Sequence, residues 1–572
     1  FGCGGDRDKD KRFKMGKIAS TYASKIYLTD DNPRSEDPKK IRNEIKIGIN
    51  NRNVKEVAER KKAIFQSIYN LSSGDILVVA GKGHEKTQDY NGKKKFFSDR
   101  KEILKSISIK NKSLFKDIRL NIIQEKSKIL PKNINFNQAC INSKELKKDD
   151  IFFAIKGKKN DGNNFLKEAR KKQSSLVIVN RISKNFPLSK QVKVKNSLKF
   201  LTSCAYSYRD NIKINIISIT GSCGKTTLKE MIGKVIQKIT KASFSPKSYN
   251  NKYGVPLSLF NSNQDDKFGI FEVGMDKKGE IDHLTKILKP DLGIITNISY
   301  AHSKNFKNIK EIAEAKSEII DNIKSNGTII LNADDHFYKF HKKKALKKNL
   351  KIFSFSIKNK KSNIKLIKIK KIRKKFKISF KLGSKIGFFY SNSNFESHIQ
   401  NLLAATAVLN LFFDIKKISK NIFLDFKLPE GRGDTSSLRL NKKRINFIDE
   451  SYNSNPLSLK TALINYAKIN SKNGKKHILL GDMLELGRHS HTQHYKISSV
   501  INKLNIDKVH VIGKDIKKTY QGVKISKKGL VLNQISEIKD LINKRLSNND
   551  YLMIKGSNST GLYKLSQNLK KG

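Results

Sequence analysis

The sequence of 572 residues has little cysteine, no tryptophan and no long apolar run. Its four cysteines, Cys3, Cys140, Cys204 and Cys223, show no CxxC spacing. A disulfide framework or structural zinc site is therefore disfavoured, and a reducing, cytoplasmic compartment is expected. The longest apolar runs, such as DILVVAG and INIISITG, have the length of a buried strand and fall far short of a membrane span. We therefore expect no membrane insertion.

Acidic residues are scarce relative to basic ones, since 118 Lys and Arg stand against 51 Asp and Glu, a formal charge of +67. Such a charge has two interpretations: a nucleic-acid partner or a lysine-rich composition with solvated lysines. The charge is spread along the chain, and no zinc-finger, RRM or KH signature is present. This favours solvated lysines and no nucleic-acid partner. The densest basic run, KKIRKKFKISFKLGSKIGFFY, alternates polar and apolar residues and predicts a hairpin with lysines facing water.

A glycine loop between a strand and a helix is the clearest chemical signal. INIISITGSCGKTTLKEMIGKVI predicts a buried strand over Ile214–Ile219, a tight loop over Gly221–Gly224 and a helix from Lys225. Backbone N–H groups at that helix start can hold phosphates, Lys225 can reach the β and γ oxygens, and Thr226 can hold Mg²⁺. The alternative is a chance glycine loop. The predicted ATP-binding residues are Gly221, Ser222, Cys223, Gly224, Lys225, Thr226 and Thr227.

The short form GxxGKTT, with two residues between its glycines, resembles the Mur ligases and their relatives, the folylpolyglutamate synthases. Further segments follow in the order of the MurF branch of that family: NNKYGVPLSLF, FEVGMDKKGEIDHL, ITNISYAHSKNF, IAEAKSEII, LNADD, HIQNLLAATAV, IDESYNSNPLSL, LGDMLELG and IKGSNS. The resemblance implies an α/β multidomain fold with a central P-loop ATPase domain and Rossmann-like C-terminal domains. It also implies ATP-dependent joining of D-alanyl-D-alanine to UDP-MurNAc-tripeptide through an acyl phosphate.

Two other functions stay open at this stage. One is another acyl-phosphate amide ligase of the same superfamily, similar to folylpolyglutamate synthase. The other is a basic nucleic-acid-binding protein that has lost catalysis; the intact Lys225, Thr226 and Glu272 disfavour it.

The resemblance assigns the metal and catalytic residues. Thr226 and Glu272 would hold one Mg²⁺, and His302 would help to hold a second. Lys316 matches a lysine that is carbamylated in the family, so Lys225, His302 and Lys316 are the predicted catalytic residues. The alternatives are an ordinary salt bridge for Glu272, a capping or core role for His302 and a solvated side chain for Lys316.

The resemblance also assigns nucleotide and acceptor contacts. Asn401 would contact the adenine, Asp449 the ribose, and Arg432 a phosphate unless it is only a hinge. Asn453 and Asn455 would lie on the acceptor side of the cleft, although a turn explains YNSNP equally well.

Residues 134–211 resemble the UDP-MurNAc-binding domain of the family, whose pattern is DSR…GD(L/I)F…A(L/I)KG…DGH. In INSKELKKDDIFFAIKGKKNDGNNF, Asn142-Ser143-Lys144 replaces DSR and Asn163 replaces the histidine. Ser143 is the predicted substrate contact. Lys144 keeps the charge of the arginine but loses its bidentate fork. The alternative is a small α/β domain whose polar loop binds nothing.

The first 112 residues resemble the C-terminal domain of MurE-type ligases, through FGCGGDRDKDKR, TDDNPRSEDP and GDILVVAGKGHE. We expect alternating strands and helices there. In that branch DNPR accompanies meso-diaminopimelate, whose distal carboxylate an arginine can grip with two hydrogen bonds. The resemblance places six residues around a diaminopimelate pocket: Arg7, Asp31, Asn32, Arg34, Gly81 and Glu85.

The expected domains are therefore 1–112 (MurE-like acceptor domain), 113–133 (linker), 134–211 (UDP-MurNAc domain), 212–428 (ATPase) and 429–572 (acceptor domain). The tail of one ligase precedes a second, whole ligase. The chain contains a single GxxGKTT, so residues 1–112 are not expected to add diaminopimelate by themselves. Nothing in the sequence indicates an oligomeric state.

Overall fold

A computed structural model describes residues 1–50, 53–71, 75–114, 117–128, 134–157, 160–358, 361–440, 443–471 and 474–571. The chain divides into two compact units, Phe1–Asp117 and Ile118–Gly572. Within the described residues, no helix is long and apolar enough to cross a membrane. All four cysteines are free thiols.

The described residues of the first unit form two small two-stranded sheets and four helices. The parallel pair β1–β2 lies next to a core of Cys3, Leu28, Ile41 and Ile45, and β3–β4 is an antiparallel hairpin. Its elements are α1 Asp10–Tyr22, β1 Ile26–Leu28, α2 Pro38–Ile47, β2 Val54–Glu56, α3 Arg60–Tyr69, β3 Thr87–Tyr90, β4 Lys93–Phe96 and α4 Asp99–Leu114.

One strand expected in this unit is not formed. The apolar run DILVVAG has no regular structure, and Ile76 and Val78 are 90% and 77% exposed. Length and apolarity predicted a buried strand there, but a strand also needs a neighbouring strand to pair with, and no described strand pairs with this stretch.

The second unit begins with a small α/β domain built on a four-stranded parallel sheet, β5-β6-β7-β8. Its elements are α5 Ile118–Ser127, β5 Ala139–Cys140, β6 Ile151–Phe153, α6 Leu166–Lys171, β7 Leu176–Val179, β8 Gln191–Lys193 and α7 Ser197–Asn211.

Much of the segment expected to be a linker, 113–133, is therefore helix. Residues 113–114 belong to α4, and 115–116 and 129–133 lie outside the described residues. Helix α5 buries Leu120, Ile122 and Ile123 in the same core as Leu201 on α7. The apolar residues of IRLNII predict a helix with a buried face, but the lysine-rich composition of the whole segment favoured a linker.

The central domain is built on a nine-stranded sheet in the order β10-β11-β9-β12-β13-β14-β15-β16-β17. The first seven strands are parallel. The inner strands β11, β9, β12 and β13 are buried along nearly their whole length, as expected for parallel strands with helices on both faces. The elements are β9 Asn215–Thr220, α8 Lys225–Gln237, β10 Ala242–Phe244, α9 Gly254–Phe260, β11 Phe268–Glu272, α10 Glu280–Leu288, β12 Leu292–Ile295, α11 Ile309–Asp321, β13 Thr328–Asn332, α12 Tyr338–Lys347, β14 Lys351–Ser356, β15 Ile364–Ile372, β16 Lys375–Leu382, β17 Lys385–Ser391 and α13 Glu396–Phe412.

The last three strands of this sheet form the predicted lysine-rich hairpin and extend it. β15 pairs with β16 and β16 with β17, all antiparallel. Ile378, Phe380 and Phe389 face the buried core that contains α13, and the lysines alternate with them. The period of two in the sequence is thus confirmed.

The C-terminal domain has a six-stranded sheet in the order β18-β19-β23-β20-β21-β22, parallel except at its β18 edge. The elements are β18 Asp434–Leu440, β19 Lys443–Asp449, α14 Pro456–Ala467, β20 Lys476–Gly481, α15 Ser490–Asn502, β21 Lys508–Ile512, α16 Lys517–Gln521, β22 Lys528–Leu532, α17 Glu537–Arg545, β23 Tyr551–Lys555 and α18 Leu562–Lys571. Parallel sheets with helices on both faces establish the predicted α/β class.

Candidate active site

The glycine loop lies at the carboxyl end of the central strand β9, where ligands bind in open α/β sheets. Gly221 and Gly224 have φ of 142° and 81°, and a Cβ on Gly221 would approach Thr296 Oγ1 to 2.0 Å. The loop is anchored from β12: Asn297 accepts hydrogen bonds from the N–H groups of Ser222 and Cys223 at 2.8 and 2.9 Å. The Lys225 ammonium donates to the Gly221 carbonyl at 2.9 Å. The loop is thereby preformed around its own lysine.

A buried carboxylate meets the loop from the neighbouring strand β11. Thr226 Oγ1 donates to Glu272 Oε2 at 2.6 Å, and Asn250 Nδ2 donates to Glu272 Oε1 at 2.7 Å. Glu272 is 1% exposed, and buried Lys229 stands close enough to interact electrostatically with it. Hydroxyl and carboxylate oxygens side by side are the donors that Mg²⁺ prefers, so this pair fits a magnesium site.

Ser248 connects the loop to the C-terminal domain. Its hydroxyl lies 3.3 Å from Thr226 Oγ1 and accepts hydrogen bonds from Tyr452 Oη at 3.0 Å and Arg432 at 3.2 Å. The Arg432 guanidinium also stacks on the Tyr452 ring at 4.2 Å. Arg432 is thus held beside the ATP loop. The sequence had allowed two roles for it, a phosphate contact or a hinge.

His302 is held between two carboxylates, in a left-handed backbone conformation with φ of 55°. Its Nδ1 lies 2.6 Å from Glu485 Oε2 and 3.2 Å from Asp276 Oδ1. Burial alone would lower the pKa of His302, but the two carboxylates outweigh it and raise that pKa. Ligand atoms of the three residues lie within 4.8 Å of one another, so the cluster can hold a divalent cation.

Lys316 is buried on α11, 1% exposed, rather than solvated. Its pKa is lowered well below the ordinary lysine value, first by burial and then by repulsion from Lys225. It makes no hydrogen bond or ion pair with any described residue. Burial beside another cation therefore favours the neutral form of the Lys316 amine.

The nucleotide contacts predicted on either side of the loop, Asn401 and Asp449, are both buried. Asn401 on α13 lies against the loop, with its Oδ1 3.2 Å from the position of a Cβ on Gly224. Asp449 at the end of β19 is fully buried, and its carboxylate contacts Ser451, Gln567 and Lys570 at 2.5 to 3.3 Å. A ribose contact would require that side chain to leave these partners, because none of its surface is exposed.

The two asparagines of YNSNP have structural partners. Asn455 caps α14 in a capping box with Ser458, accepts a hydrogen bond from Cys223 Sγ at 3.1 Å and donates to the Ser222 carbonyl at 3.4 Å. The backbone carbonyl of Asn453 accepts a hydrogen bond from Lys555 Nζ at 3.0 Å. Asn455 therefore touches the ATP loop rather than a free acceptor cleft, and the cap explains the turn signal.

The predicted sugar-nucleotide loop adjoins this region within the second unit. Ser143 is buried in a short 3₁₀ turn capped by Asn142. Glu145 in the same turn accepts hydrogen bonds from Lys247 at 3.0 Å and Tyr249 at 3.3 Å, on either side of Ser248. Asn163 is buried and bonded to Asp161 and Asn180.

In the first unit, four of the six residues predicted around a pocket come together. Asn32 donates to Glu85 at 2.6 Å, and buried Lys82 donates to Asn32 at 2.8 Å and pairs with Asp31 and Glu85 at 3.5 and 3.4 Å. A Cβ on Gly81 would lie 3.2 Å from Asp31 Oδ2.

The two arginines of this predicted pocket are placed differently. Arg34, at φ 53°, donates to the Gly5 carbonyl at 3.0 Å, so part of its guanidinium is occupied. Arg7 is exposed. Burial would raise the pKa of Glu85, but the contacts with Asn32 and Lys82 and, last, the charge of Arg7 lower it.

Sequence reasoning did not select several residues that the structure places in these sites. Five lie inside the quoted segments but carry no chemical signature of their own: Lys82, Asn250, Asp276, Tyr452 and Glu485. Ser248 lies outside those segments. Asn250 could have been selected because NNKYG places two amide side chains shortly before a glycine. Glu485 could have been selected because LGDMLELG places a carboxylate two residues before a glycine. A single serine between lysine and tyrosine gives no signal.

The fold and this site define a Mur-type ligase. The Mur ligase middle domain family matches residues 219–409, and the family described as Mur ligase, glutamate ligase domain matches residues 437–558 and, separately, residues 1–83.

Whole-chain comparisons identify the branch. The UDP-N-acetylmuramoyl-tripeptide–D-alanyl-D-alanine ligase of Rickettsia prowazekii is 32% identical over 441 residues, which cover 76% of this chain and 95% of that protein. Crystal structures of MurF from Acinetobacter baumannii and of MurF from Thermotoga maritima in complex with ADP have TM-scores of 0.68 and 0.63. Both are 25% identical and cover 79% and 77% of this chain and 98% of theirs. The chain belongs to the MurF family, and the folylpolyglutamate-synthase alternative is set aside.

Proposed function

We propose that the second unit joins D-alanyl-D-alanine to UDP-N-acetylmuramoyl-tripeptide with ATP, as the name of its Rickettsia prowazekii relative states. The observation that carries this is the group of Lys225, Thr226, Glu272 and Lys316 around one glycine loop at the carboxyl ends of β9 and β11. These groups suit the activation of a carboxylate by phosphoryl transfer. The ADP in the Thermotoga maritima structure supports ATP as the phosphoryl donor.

The reaction divides into two balanced steps. A carboxylate oxygen of the tripeptide attacks the γ-phosphorus, the bond to the β-γ bridging oxygen breaks, and ADP leaves. The amine of D-alanyl-D-alanine then attacks the acyl carbon, inorganic phosphate leaves, and the amine loses a proton. Negative charge concentrates in the first transition state, so preorganised cations contribute most there. Lys225 and the loop N–H groups would hold that charge.

Mg²⁺ fits the oxygen donors of Thr226 and Glu272, and a second ion would fit His302 with Asp276 and Glu485. Bound Mg²⁺ would neutralise phosphate charge. Lys316 would act as its carbamate, formed when the neutral amine adds to the carbon of CO₂ and loses a proton. Its lowered pKa supports this, because only an unprotonated lysine is nucleophilic.

The test is product formation by the purified full chain with ATP, Mg²⁺ and both substrates, followed by mass spectrometry. We expect UDP-MurNAc-pentapeptide. Lys225→Ala should reduce its formation by at least about a thousandfold, the scale of a lost phosphate-holding cation. Lys234→Ala removes a half-exposed lysine from the same helix and should leave the rate within twofold. Equal loss in both variants, or no pentapeptide with the wild type, would refute the assignment.

For the first unit we propose a pocket for meso-diaminopimelate, of the MurE type. The specific observation is the cluster of Asn32, Lys82, Glu85 and Asp31 beside Gly81. Asp31 and Glu85 would meet the ammonium groups, and Arg34 and Arg7 the carboxylates. The separate match of residues 1–83 to the glutamate ligase domain family supports an acceptor-type domain.

Isothermal titration of the full chain with meso-diaminopimelate tests this second proposal, with L-lysine as comparison ligand. We expect weak saturable binding that Arg34→Lys reduces by about tenfold, because a bidentate pair becomes a point contact. Lys40→Ala, at an exposed position on α2, is the control. Binding that is absent, or equal for L-lysine, would contradict the proposal and leave the ligase assignment untouched.

A further inference from the structure

The strands β15, β16 and β17 lie in a part of the chain without acidic residues. Between Asp335 and Glu396, residues 336–395 contain 20 Lys and Arg and no Asp or Glu. The whole chain has 51 acidic residues in 572, so about five would be expected by composition in a stretch of this length. A lysine-rich composition alone does not explain the absence of every acid.

The register of these strands places most of their lysines on one side. Paired residues in neighbouring strands share a face, and the face opposite Ile378, Phe380 and Phe389 looks away from the core. We name it the basic face. It contains Lys365, Lys368, Lys370, Ile372, Lys375, Lys377, Ser379, Lys381, Ile386, Phe388 and Tyr390.

Like charges on this face stand directly opposite one another. Lys365 pairs with Lys381 across β15 and β16, and Lys370 pairs with Lys377. Side chains opposite one another in antiparallel strands lie about 5 Å apart, and like charges in such positions destabilise a sheet. The Lys370–Lys377 pair is therefore a cost in the free protein that a polyanionic surface would remove.

The basic face also presents apolar groups. Ile386 is 74% exposed on the edge strand β17, and Ile372 lies on the same face at the end of β15. Lys377 and Lys375 place their ammonium groups 4.1 and 3.7 Å from the ring centres of Phe388 and Tyr390. Lysines with exposed aliphatic tips match a bilayer interface, where charges meet head groups and apolar groups enter the acyl boundary. A nucleic acid would use the charges but not the aliphatic tips.

The geometry points to a membrane-docking surface: the basic face of β15–β17 binds bilayers rich in anionic phospholipid. β17 lies six strands from β9 in the sheet order, roughly 29 Å at the usual strand spacing. A docked membrane would therefore leave the ATP loop free.

Flotation of the full chain with vesicles of 30% phosphatidylglycerol in phosphatidylcholine, against pure phosphatidylcholine, tests the inference. We expect binding to the anionic vesicles alone. Replacing Lys368, Lys370, Lys377 and Lys381 with glutamine should weaken it at least tenfold. The same change at four exposed lysines of the C-terminal domain, Lys503, Lys514, Lys524 and Lys539, should weaken it less than twofold. Pentapeptide synthesis by both variants controls for folding.

A third variant, Ile386→Asn, separates a membrane from other polyanions because it changes no charge. It should weaken vesicle binding about threefold and leave the binding of a single-stranded oligonucleotide unchanged. Equal losses in the two lysine variants would show general attraction by the +67 charge and overturn the inference. So would an absence of vesicle binding, or an oligonucleotide bound more tightly than the vesicles and insensitive to Ile386.

Discussion

Two regions of this chain match one domain family, yet the same stretch is folded differently in each. In the C-terminal domain, β23 lies between β19 and β20, and Leu552, Met553 and Ile554 are fully buried. In the first unit, DILVVAG (75–81) is similar in sequence to DYLMIKG (550–556), and each stretch ends two residues before the end of its family match. There the stretch is irregular and largely exposed.

The order of the neighbouring elements explains the difference. In both regions a strand, a helix, a second strand and a second helix precede this stretch: β1, α2, β2 and α3 in the first unit, and β21, α16, β22 and α17 in the second. The described residues of the first unit contain no counterparts of β18, β19 and β20. An apolar run is therefore not sufficient for a strand, because its backbone groups and both edges need partners.

Hydrogen exchange should show the largest contrast. Amides of Leu77–Val79 should exchange at least about a thousandfold faster than those of Leu552–Ile554, because only the latter are bonded within a buried sheet. Mass spectrometry of peptides from both stretches measures this, with Ile478–Leu480 in β20 as a protected reference. Comparable protection of the Leu77–Val79 amides would contradict the view that the two stretches are folded differently.

A matched pair of substitutions tests burial at the fourth residue of each stretch. Met553→Asp should lower the free energy of unfolding of the C-terminal domain by more than about 3 kcal/mol, since it buries an unpaired charge. Val78→Asp should change stability by less than about 0.5 kcal/mol, because the side chain is exposed. Urea unfolding followed by domain-specific probes measures both, and similar losses would contradict the account.

Much of the ATP site was predictable because its signal is local in sequence. Gly221, Gly224, Lys225 and Thr226 form the strand–loop–helix unit that the spacing predicts. Three features could not be predicted because they depend on distant partners. Asp449 is buried and paired with Lys570. Asn455 is both a helix cap and a contact of the ATP loop. The Ser248 hydroxyl contacts Thr226 in the ATP domain and Tyr452 in the C-terminal domain.

Acid should destabilise the C-terminal domain through a pair of stacked histidines. Leu530 N–H donates to His510 Nδ1, His510 Nε2 lies 3.2 Å from His477 Nδ1, and Asp550 lies 3.5 Å from His477 Nε2. Burial first, then charges on His477, Lys508 and Arg545, lowers the pKa of His510 to about 3. Burial also lowers the pKa of His477, against the attraction of Asp550 and Asp507.

The sign follows from those shifts. A histidine whose folded pKa lies below its unfolded value of about 6.5 gives stability above that value, and loses it as pH falls toward the folded pKa. We expect a loss of about 2 kcal/mol from His510 between pH 7 and pH 5, and a loss of the same sign from His477. His510→Gln should flatten the slope of stability against pH, and His491→Gln, at an exposed position, should not. The only histidine of the first unit is the exposed His84. If the stability of the first unit fell equally steeply with pH, buried histidines would not be the cause of the acid sensitivity.

The smallest expected effect concerns the contact between the C-terminal domain and the ATP loop. The first unit contains no GxxGKTT loop, so this contact belongs to the second unit alone. Tyr452→Phe removes the hydrogen bond to Ser248 and should lower kcat about fivefold, near 1 kcal/mol. The melting temperature should stay unchanged. Tyr495→Phe, at an exposed position, is the control. Unchanged kcat would show that this contact has no part in positioning the ATP loop.

The most direct test of the central claim compares two substrate pairs on the full chain. ADP release should follow addition of UDP-MurNAc-tripeptide with D-alanyl-D-alanine. It should not follow addition of UDP-MurNAc-dipeptide with meso-diaminopimelate, because the chain has one GxxGKTT and it belongs to the second unit. Release with the first pair alone is the predicted result. Release with the second pair, or with neither, would contradict the account.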